Sequence, residues 1–356
     1  MHCKALDGLR GYAAISVIMF HSILHYNTAY WGTFATNPMQ SLLASDSFAF
    51  TVLVSIFNGS TPVVIFFILS GYVLSASFKK YNDNFASNYF SFLIKRMLRI
   101  YPAVVSCCLI TFLVIRSIYE MGFSSQSSSF SSLIYNSLLF KNDLLGISWT
   151  LTIEVAVAFI IFPIYFASKK LGGIALIFAL IYSIISINAP SLALWIPLLN
   201  LSLISFVCGM MLDTEQAKII FDGTERYWLV VCVGIVSIGR VYSEWSTLFI
   251  ILQVLLCSCL IGILRYGSES KLKTLLESRV SLAIGRLSFS IYLYAAPVSW
   301  AFFSIFRYNG EHSLTIGLLY GIIVFLITIP LSIVSYRFIE LPCINMSKRL
   351  GELLTN

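Results

Sequence analysis

Long apolar stretches separated by short polar segments fill almost the whole chain. Stretches of this length and composition are typical of helices that cross a bilayer, so the pattern predicts ten spans. We place these spans at 8–25, 60–78, 99–118, 149–168, 172–188, 193–212, 227–241, 246–265, 287–306 and 313–336. Two shorter apolar stretches, 46–58 and 130–140, are candidates for helices in the membrane interface. We find no internal repeat and no second soluble domain.

The composition indicates the same class of protein. Of 356 residues, 58% are hydrophobic and only 11% are charged, and the mean hydropathy is +0.87. A soluble domain carries about twice that share of charged residues. We therefore predict an all-α, polytopic integral membrane protein with about ten transmembrane helices. Residues 1–345 form its single membrane domain, and residues 346–356 form a short cytoplasmic tail.

The basic residues are distributed unevenly between alternate loops. If the N-terminus is cytoplasmic and the spans alternate, all but four of the 23 Lys and Arg residues fall on the cytoplasmic side. The four that fall outside are Arg116, Lys141, Arg240 and Arg307. This positive-inside bias predicts that both termini are cytoplasmic, and it accounts for the net charge of +7 without a nucleic-acid partner. The eight cysteines show neither a metal-site spacing nor a disulfide framework.

An arginine and a histidine in the first span are the most informative pair in the chain. Arg10 and His21 are eleven positions apart. In a helix this spacing turns through about 1100°, so both side chains face the same way, roughly 16 Å apart along the axis. An ionisable residue deep in a membrane is costly and usually functional. The alternative, still open at this point, is a snorkelling arginine and a histidine bonded within the bundle.

The second and third spans each carry a candidate binding motif. Ser70 and Gly71 are small, and they would let another helix or a ligand approach closely. Arg96 and Arg99 are three positions apart at the inner start of the third span, on one helix face, where they would hold phosphates. Helix packing is the alternative for the first motif, and lipid headgroup binding is the alternative for the second.

Glu154, near the start of the fourth span, has no cationic neighbour within that span. It needs a partner from another helix or a water-filled cavity. The predicted topology places it about one to two turns below the outer face, at a depth comparable to that of His21. A carboxylate that orients an imidazole supports general base catalysis, whereas a structural bond between helices is the alternative. At the inner face, Arg337 and Glu340 suggest an ordinary interfacial ion pair.

Six short motifs follow one another along nearly the whole chain. They are Arg10-x10-His21, Phe66-Phe67-x-x-Ser70-Gly71, Arg96-x-x-Arg99-Ile100-Tyr101-Pro102, Ser148-Trp149-x-Leu151-x-x-Glu154, Leu287-Ser288-Phe289-Ser290-Ile291-Tyr292-Leu293-Tyr294 and Ile339-Glu340-x-Pro342. Together they resemble acyltransferase family 3, the multi-pass membrane O-acyltransferases that modify sugars and other hydroxyl compounds. The resemblance implies an acyl-CoA donor, usually acetyl-CoA, that enters from the cytoplasm. It also implies a hydroxyl acceptor reached from the outer side or within the membrane.

The resemblance also suggests which residues form the site. His21 and Glu154 are the expected catalytic residues, with His21 as general base or acyl relay. The residues expected to bind the donor are Arg10, Ser70, Gly71, Arg96, Arg99 and Tyr101. Trp149 and Tyr292 are expected to bind the acceptor, and no metal is expected. Many family members have a histidine where this chain has Ala295, which concentrates the expected chemistry on His21.

We therefore expect an O-acetyltransferase in the cytoplasmic (inner) membrane that modifies a cell-surface polysaccharide or a lipid-linked sugar of the cell envelope. A transporter or flippase for a lipid-linked saccharide is one alternative, although such proteins often contain inverted repeats. A membrane protein that binds acyl-CoA without turnover is another. It would need the basic inner face, but it would not need His21 together with Glu154.

Overall fold

A computed structural model describes residues 3–25, 48–241, 246–306 and 314–355. Within these ranges all regular structure is helical and no strand is present. The predicted all-α membrane fold is therefore confirmed. Six helical stretches are long and apolar enough to cross a membrane, and two shorter helices are also apolar. The count of ten spans stays a prediction.

The helices follow the apolar pattern closely. In chain order they are α1 (Lys4–His25), α2 (Phe48–Ile56), α3 (Ser60–Phe78), α4 (Phe85–Glu120), α5 (Phe130–Ser137), α6 (Trp149–Leu171), α7 (Gly173–Ile187), α8 (Leu199–Met211), α9 (Glu215–Phe221), α10 (Trp228–Val241), α11 (Thr247–Tyr266), α12 (Lys271–Leu276), α13 (Arg279–Ile305), α14 (Leu314–Ser335) and α15 (Leu341–Thr355). A π-helical turn, Tyr336–Glu340, connects the last two. Each predicted span overlaps one of these helices. Of the four basic residues predicted to lie on the outer side, Arg307 is not among the described residues.

Three predicted boundaries are wrong by six residues or more, and one of them is the start of α13, at Arg279 rather than near residue 287. Helix α4 begins at Phe85 rather than near residue 99, because the Asn84 side chain caps its first turn by accepting a hydrogen bond from the Ser87 backbone. Helix α8 begins at Leu199 rather than near residue 193. Leu194, Trp195 and Leu198 adopt left-handed backbone conformations there, which interrupt a helix.

Residue contacts divide the chain into two units. The first unit comprises Met1–Phe20, Thr28–Tyr81 and Phe159–Arg286, and the second comprises His21–Asn27, Asn82–Ala158 and Leu287–Asn356. The predicted site residues are divided between them. Arg10, Ser70 and Gly71 belong to the first unit, whereas the others belong to the second.

Glycines set the close helix crossings of the first unit. A Cβ atom on Gly71 of α3 would lie 2.1 Å from the carbonyl oxygen of Phe206 in α8, and one on Gly209 would lie 2.1 Å from that of Ile68. A glycine also allows α1 and α13 to approach closely, because a Cβ on Gly285 would lie 2.2 Å from the carbonyl oxygen of Asp7. The backbones at these crossings thus pack in direct contact.

In the second unit, the long helix α4 packs against α5 and α15. Its buried face contributes Ile100, Val104 and Phe112 to an apolar core, which Leu151 of α6 and Leu293 of α13 complete. Ile100 follows Arg96 on α4 and Leu151 precedes Glu154 on α6, so this core lies beside the ion pair described next.

Candidate active site

An ion pair lies within the second unit, between α4 and α6. The Arg96 Nη2 atom donates to Oε2 of Glu154 at 2.8 Å. The Arg96 side chain is only 8% exposed, and that of Glu154 is 20% exposed. Charged groups this far from water are costly unless they are paired, so each residue stabilises the charge of the other. The Glu154 side chain is therefore the more accessible of the two.

The ion pair corrects the depths assigned from the sequence. Those depths put Arg96 at the inner membrane face and Glu154 near the outer one, yet the two side chains are in contact. The error came from the start of α4. Because that helix begins at Phe85, Arg96 lies roughly 16 Å along it rather than at its end. The partner that Glu154 needed from another helix is therefore Arg96.

A second polar contact lies one helical turn before Glu154. Thr150 and Glu154 are four positions apart on α6 and so share a face. The Thr150 hydroxyl lies 3.0 Å from the hydroxyl of Tyr292 on α13, and both groups also lie within bonding distance of the Ile147 carbonyl. Both side chains are buried. Tyr292, predicted to bind the acceptor, thus also joins α6 to α13.

His21 lies near the C-terminal end of α1. This helix is continuous from Arg10 to His21, which is the condition under which the two residues were predicted to share a face. His21 is exposed, whereas its neighbours Phe20 and Ser22 are buried. His21 is thus an exposed position between two buried neighbours on this helix. His25, one turn later, stacks on Phe303 with ring centroids 4.1 Å apart and planes 9° apart, which is a packing contact.

The two arginines of the third-span motif have different surroundings. Arg96 is buried on Glu154, whereas Arg99 is exposed. Tyr101 and Trp149 are half-buried. Hence only Arg99 of the two arginines has the open position that was expected for phosphate binding. The structure does not test the catalytic and binding roles assigned to these residues, and they stay predictions.

Glu340 forms a polar contact that the sequence analysis missed. It lies in the π-helical turn, is only 7% exposed, and accepts a hydrogen bond from the Ser290 hydroxyl of α13. One turn further on α13, the Tyr294 hydroxyl lies 2.9 Å from that of Ser106 on α4. Ser290 and Tyr294 belong to the motif that runs from Leu287 to Tyr294. Their spacing of four residues places both on one helix face, and this was the signal in the sequence that could have indicated a shared polar surface.

In the first unit, the predicted donor residues are close to helix packing contacts. Gly71 lies against the backbone of Phe206, as the packing alternative expected. Ser70 and Arg10 are half-buried. Their role in donor binding remains a prediction, since close packing of Gly71 on one side does not determine what its neighbours bind.

The segment that leads into α6 is fixed by one buried amide. The Asn136 side chain, fully buried, donates to the carboxylate of Asp143 and accepts from the backbone amides of Leu144 and Leu145 at 3.1 and 3.3 Å. The Ser132 hydroxyl donates to the same carboxylate at 3.0 Å. These bonds, that from Asn136 above all, lower the pKa of Asp143 below its usual 3.8. These hydrogen bonds thereby hold in place the chain segment that precedes Trp149 and Glu154.

Comparison with known proteins identifies the family of the chain. The family model described as an acyltransferase domain, that of acyltransferase family 3, matches residues 4–337. No curated protein and no solved structure matches the chain significantly. Among the described residues, no group of three or more His, Cys, Asp or Glu side chains is arranged to hold a metal ion.

Proposed function

Because the chain belongs to acyltransferase family 3, we propose that it transfers an acetyl group from cytoplasmic acetyl-CoA to a hydroxyl of a cell-surface polysaccharide or lipid-linked sugar. The family match and the apolar helices make the protein a multi-pass membrane acyltransferase. The acetyl donor, the saccharide acceptor and the location in the inner membrane are the proposal.

The proposed reaction needs one base and one route for the leaving thiolate. His21 accepts the proton of the acceptor hydroxyl as its oxygen attacks the thioester carbonyl. The carbon–sulfur bond then breaks, the thiolate takes the proton, and free CoA and the acetyl ester leave. An alternative is a transient acyl group on His21, which the acceptor hydroxyl then removes. The exposure of His21 on a largely buried helix supports either route.

The Arg96–Glu154 ion pair is the observation that carries the proposal. A charged carboxylate in an apolar bundle has a large desolvation free energy, and the paired arginine offsets it. The Glu154 side chain is 20% exposed, which supports a role in acting on an imidazole or an acceptor hydroxyl. We propose that Glu154 supports His21 electrostatically, and that Arg96 holds Glu154 in position for this role.

The donor must present its thioester inside the membrane while its phosphates stay in water, outside the hydrocarbon region. A polyphosphate cannot enter hydrocarbon without a large desolvation cost, whereas the pantetheine arm is long and uncharged. We propose that Arg10 and Arg99 are the cations that contact the phosphates, Arg99 through the side chain that α4 exposes. Tyr101, Ser70 and Gly71 would then border the path of the arm, with Trp149 and Tyr292 at the acceptor end.

An acetyl-transfer assay with the purified full-length chain in lipid nanodiscs tests this proposal. Radiolabelled acetyl-CoA is supplied with a panel of lipid-linked saccharides, polysaccharide fractions and short oligosaccharides. We expect label in an acceptor as a base-labile ester. His21→Ala should lower the rate about 10²-fold or more, as expected for loss of a general base. His25→Ala is the matched control and should keep most of the rate, because His25 stacks on Phe303.

The assay also separates the alternatives. A flippase would move the saccharide across the bilayer without labelling it, and a non-catalytic acyl-CoA-binding protein would retain the donor without turnover. Label transfer that survives His21→Ala in a well-folded variant would leave the acyltransferase in place but remove His21 from its mechanism.

A further inference from the structure

Arg265, at the end of α11 in the first unit, is held by two tyrosines. Its Nε atom donates to the hydroxyl of Tyr72 on α3. Its guanidinium carbon lies 5.9 Å from the ring centroid of Tyr72 and 5.1 Å from that of Tyr266. We name these three residues the Arg265 cluster. Cation–π contacts and the Nε bond together fix the plane of the guanidinium.

The charge of Arg265 has no carboxylate partner among the described residues. Its hydrogen bond within those residues is made by Nε, which leaves the two Nη groups available. The nearby carboxylate of Asp213 is already used, because Lys79 contacts it at 2.9 Å and Ser75 donates to it at 3.1 Å. A half-buried, oriented and uncompensated arginine is suited to binding an external anion.

Four helix ends of the first unit meet around this cluster. The Tyr266 hydroxyl donates to the Leu212 carbonyl just after α8, and Lys79 just after α3 reaches Asp213. The Cys3 thiol, just before α1, donates to the Leu264 carbonyl at 3.6 Å. The positive-inside bias of the sequence predicts that all four ends lie at the cytoplasmic face. This topology puts Arg265 on the side from which an acyl-CoA donor is expected to arrive.

We propose that Arg265 binds a phosphate of the acyl-CoA donor through its Nη groups, with Tyr72 and Tyr266 holding the guanidinium in the orientation for a two-point contact. The inference rests on the proposed donor. Tyr72 directly follows Ser70 and Gly71 on α3, so the same turn of helix that is expected to border the pantetheine path also aligns the arginine. Arginine suits this position because its planar fork matches a phosphate, whereas a lysine provides only a point charge.

The test measures the Kd of coenzyme A by isothermal titration calorimetry for the full-length chain in nanodiscs of zwitterionic lipid. Arg265→Gln should raise this Kd tenfold or more, because the variant loses a charge-assisted contact to a phosphate. Arg265→Lys should recover only part of the affinity, and Tyr72→Phe should cause a smaller loss than Arg265→Gln. The affinity for acetyl-pantetheine, which lacks the nucleotide phosphates, should not change in Arg265→Gln.

Arg226→Gln is the matched control. Arg226 is also predicted to be cytoplasmic and also lies over a neighbouring tyrosine ring, at 4.8 Å from the centroid of Tyr227, but it is exposed. Its substitution should leave the coenzyme A Kd unchanged. Thermal unfolding and size-exclusion chromatography of each variant establish that the chain is folded before affinities are compared.

Three outcomes overturn the inference. A folded Arg265→Gln variant with wild-type affinity for coenzyme A would mean that Arg265 serves only the helix ends around it. An equal loss for coenzyme A and acetyl-pantetheine would indicate a structural effect instead of a phosphate contact. A loss that occurs only in nanodiscs of anionic lipid would assign Arg265 to a lipid headgroup. If the wild-type chain binds no coenzyme A, the proposed donor itself is wrong, which the wild-type titration reports separately.

Discussion

Arg96 of α4 and Glu154 of α6 lie 58 positions apart in sequence and form an ion pair with a separation of 2.8 Å. Both helices also contribute side chains to the apolar core of the second unit. The pair gives each helix a fixed partner, because a buried charge that loses its counterion cannot be solvated by hydrocarbon. It also links a motif expected to bind the donor with a carboxylate expected to support catalysis.

The first prediction concerns the stability of this pair. Arg96→Gln leaves the Glu154 charge without its partner and should lower the free energy of unfolding by about 3–5 kcal/mol. Adding Glu154→Gln should recover much of this loss, since two neutral amides remain. Arg116→Gln is the control on the same helix, because its pair with Glu120 at 3.0 Å is exposed and should contribute well under about 1 kcal/mol. Thermal unfolding in one detergent compares the variants, and equal losses for Arg96→Gln and Arg116→Gln would contradict the prediction.

The second prediction concerns the coupling of Glu154 to His21. Glu154→Gln keeps the shape of the side chain, removes its charge, and should lower acyl transfer about 10²-fold in the native background. In a His21→Ala background it should cause almost no further loss, because a group that acts through the imidazole has no role once the imidazole is gone. Rates of acetyl transfer in the four proteins form the double-mutant cycle. If the two losses multiply, Glu154 acts separately from His21.

The third prediction distinguishes the two arginines of the Arg96-x-x-Arg99 motif. Arg99 is exposed, so Arg99→Gln should weaken coenzyme A binding with little effect on unfolding. Arg96→Gln should lower the stability far more than Arg99→Gln does, because Arg96 is buried on Glu154. Calorimetric titration of coenzyme A and thermal unfolding of both variants provide the comparison. Wild-type donor affinity in Arg99→Gln would remove that residue from the donor site.

The fourth prediction concerns the crossing of α3 and α8. Gly71→Ala would place a methyl group 2.1 Å from the carbonyl oxygen of Phe206, so the two helix backbones must separate. We expect a lower unfolding temperature and reduced expression of folded protein. Gly173→Ala is the matched control, because nothing lies within 4 Å of a Cβ at that helical position and alanine favours helix formation. An unfolding temperature for Gly71→Ala equal to that of Gly173→Ala would show that the crossing is loose.

The fifth prediction concerns pH and the segment before α6. The bonds from Asn136 and Ser132 hold the pKa of Asp143 below 3.8, so the stability they provide is present above that pH. It is lost as the pH falls through the lowered pKa of the folded protein. Asn136→Ala should therefore destabilise the chain at neutral pH and flatten the fall in unfolding temperature below about pH 4. An unchanged acid profile would mean that Asp143 does not depend on Asn136.

The class of the protein and most of its helices could be predicted from the amino-acid sequence alone. Apolar stretches of sufficient length have few stable conformations other than a helix in a bilayer, because every backbone amide must be bonded within the segment. For the same reason the continuous helix between Arg10 and His21 was predictable. The family was predictable from six motifs because their order does not depend on any contact between them.

Which polar side chains contact one another could not be predicted without the packing of the helices. Arg96 was assigned to the inner face because the start of α4 was placed fourteen positions too late, and the partner of Glu154 could not be deduced without that boundary. The orientation of Arg265 by Tyr72 depends on how α11 crosses α3, which no local pattern encodes. A hydrophobic pattern specifies that a helix forms and which residues avoid water, whereas the partners of its polar side chains follow from the rotation, tilt and depth that packing imposes.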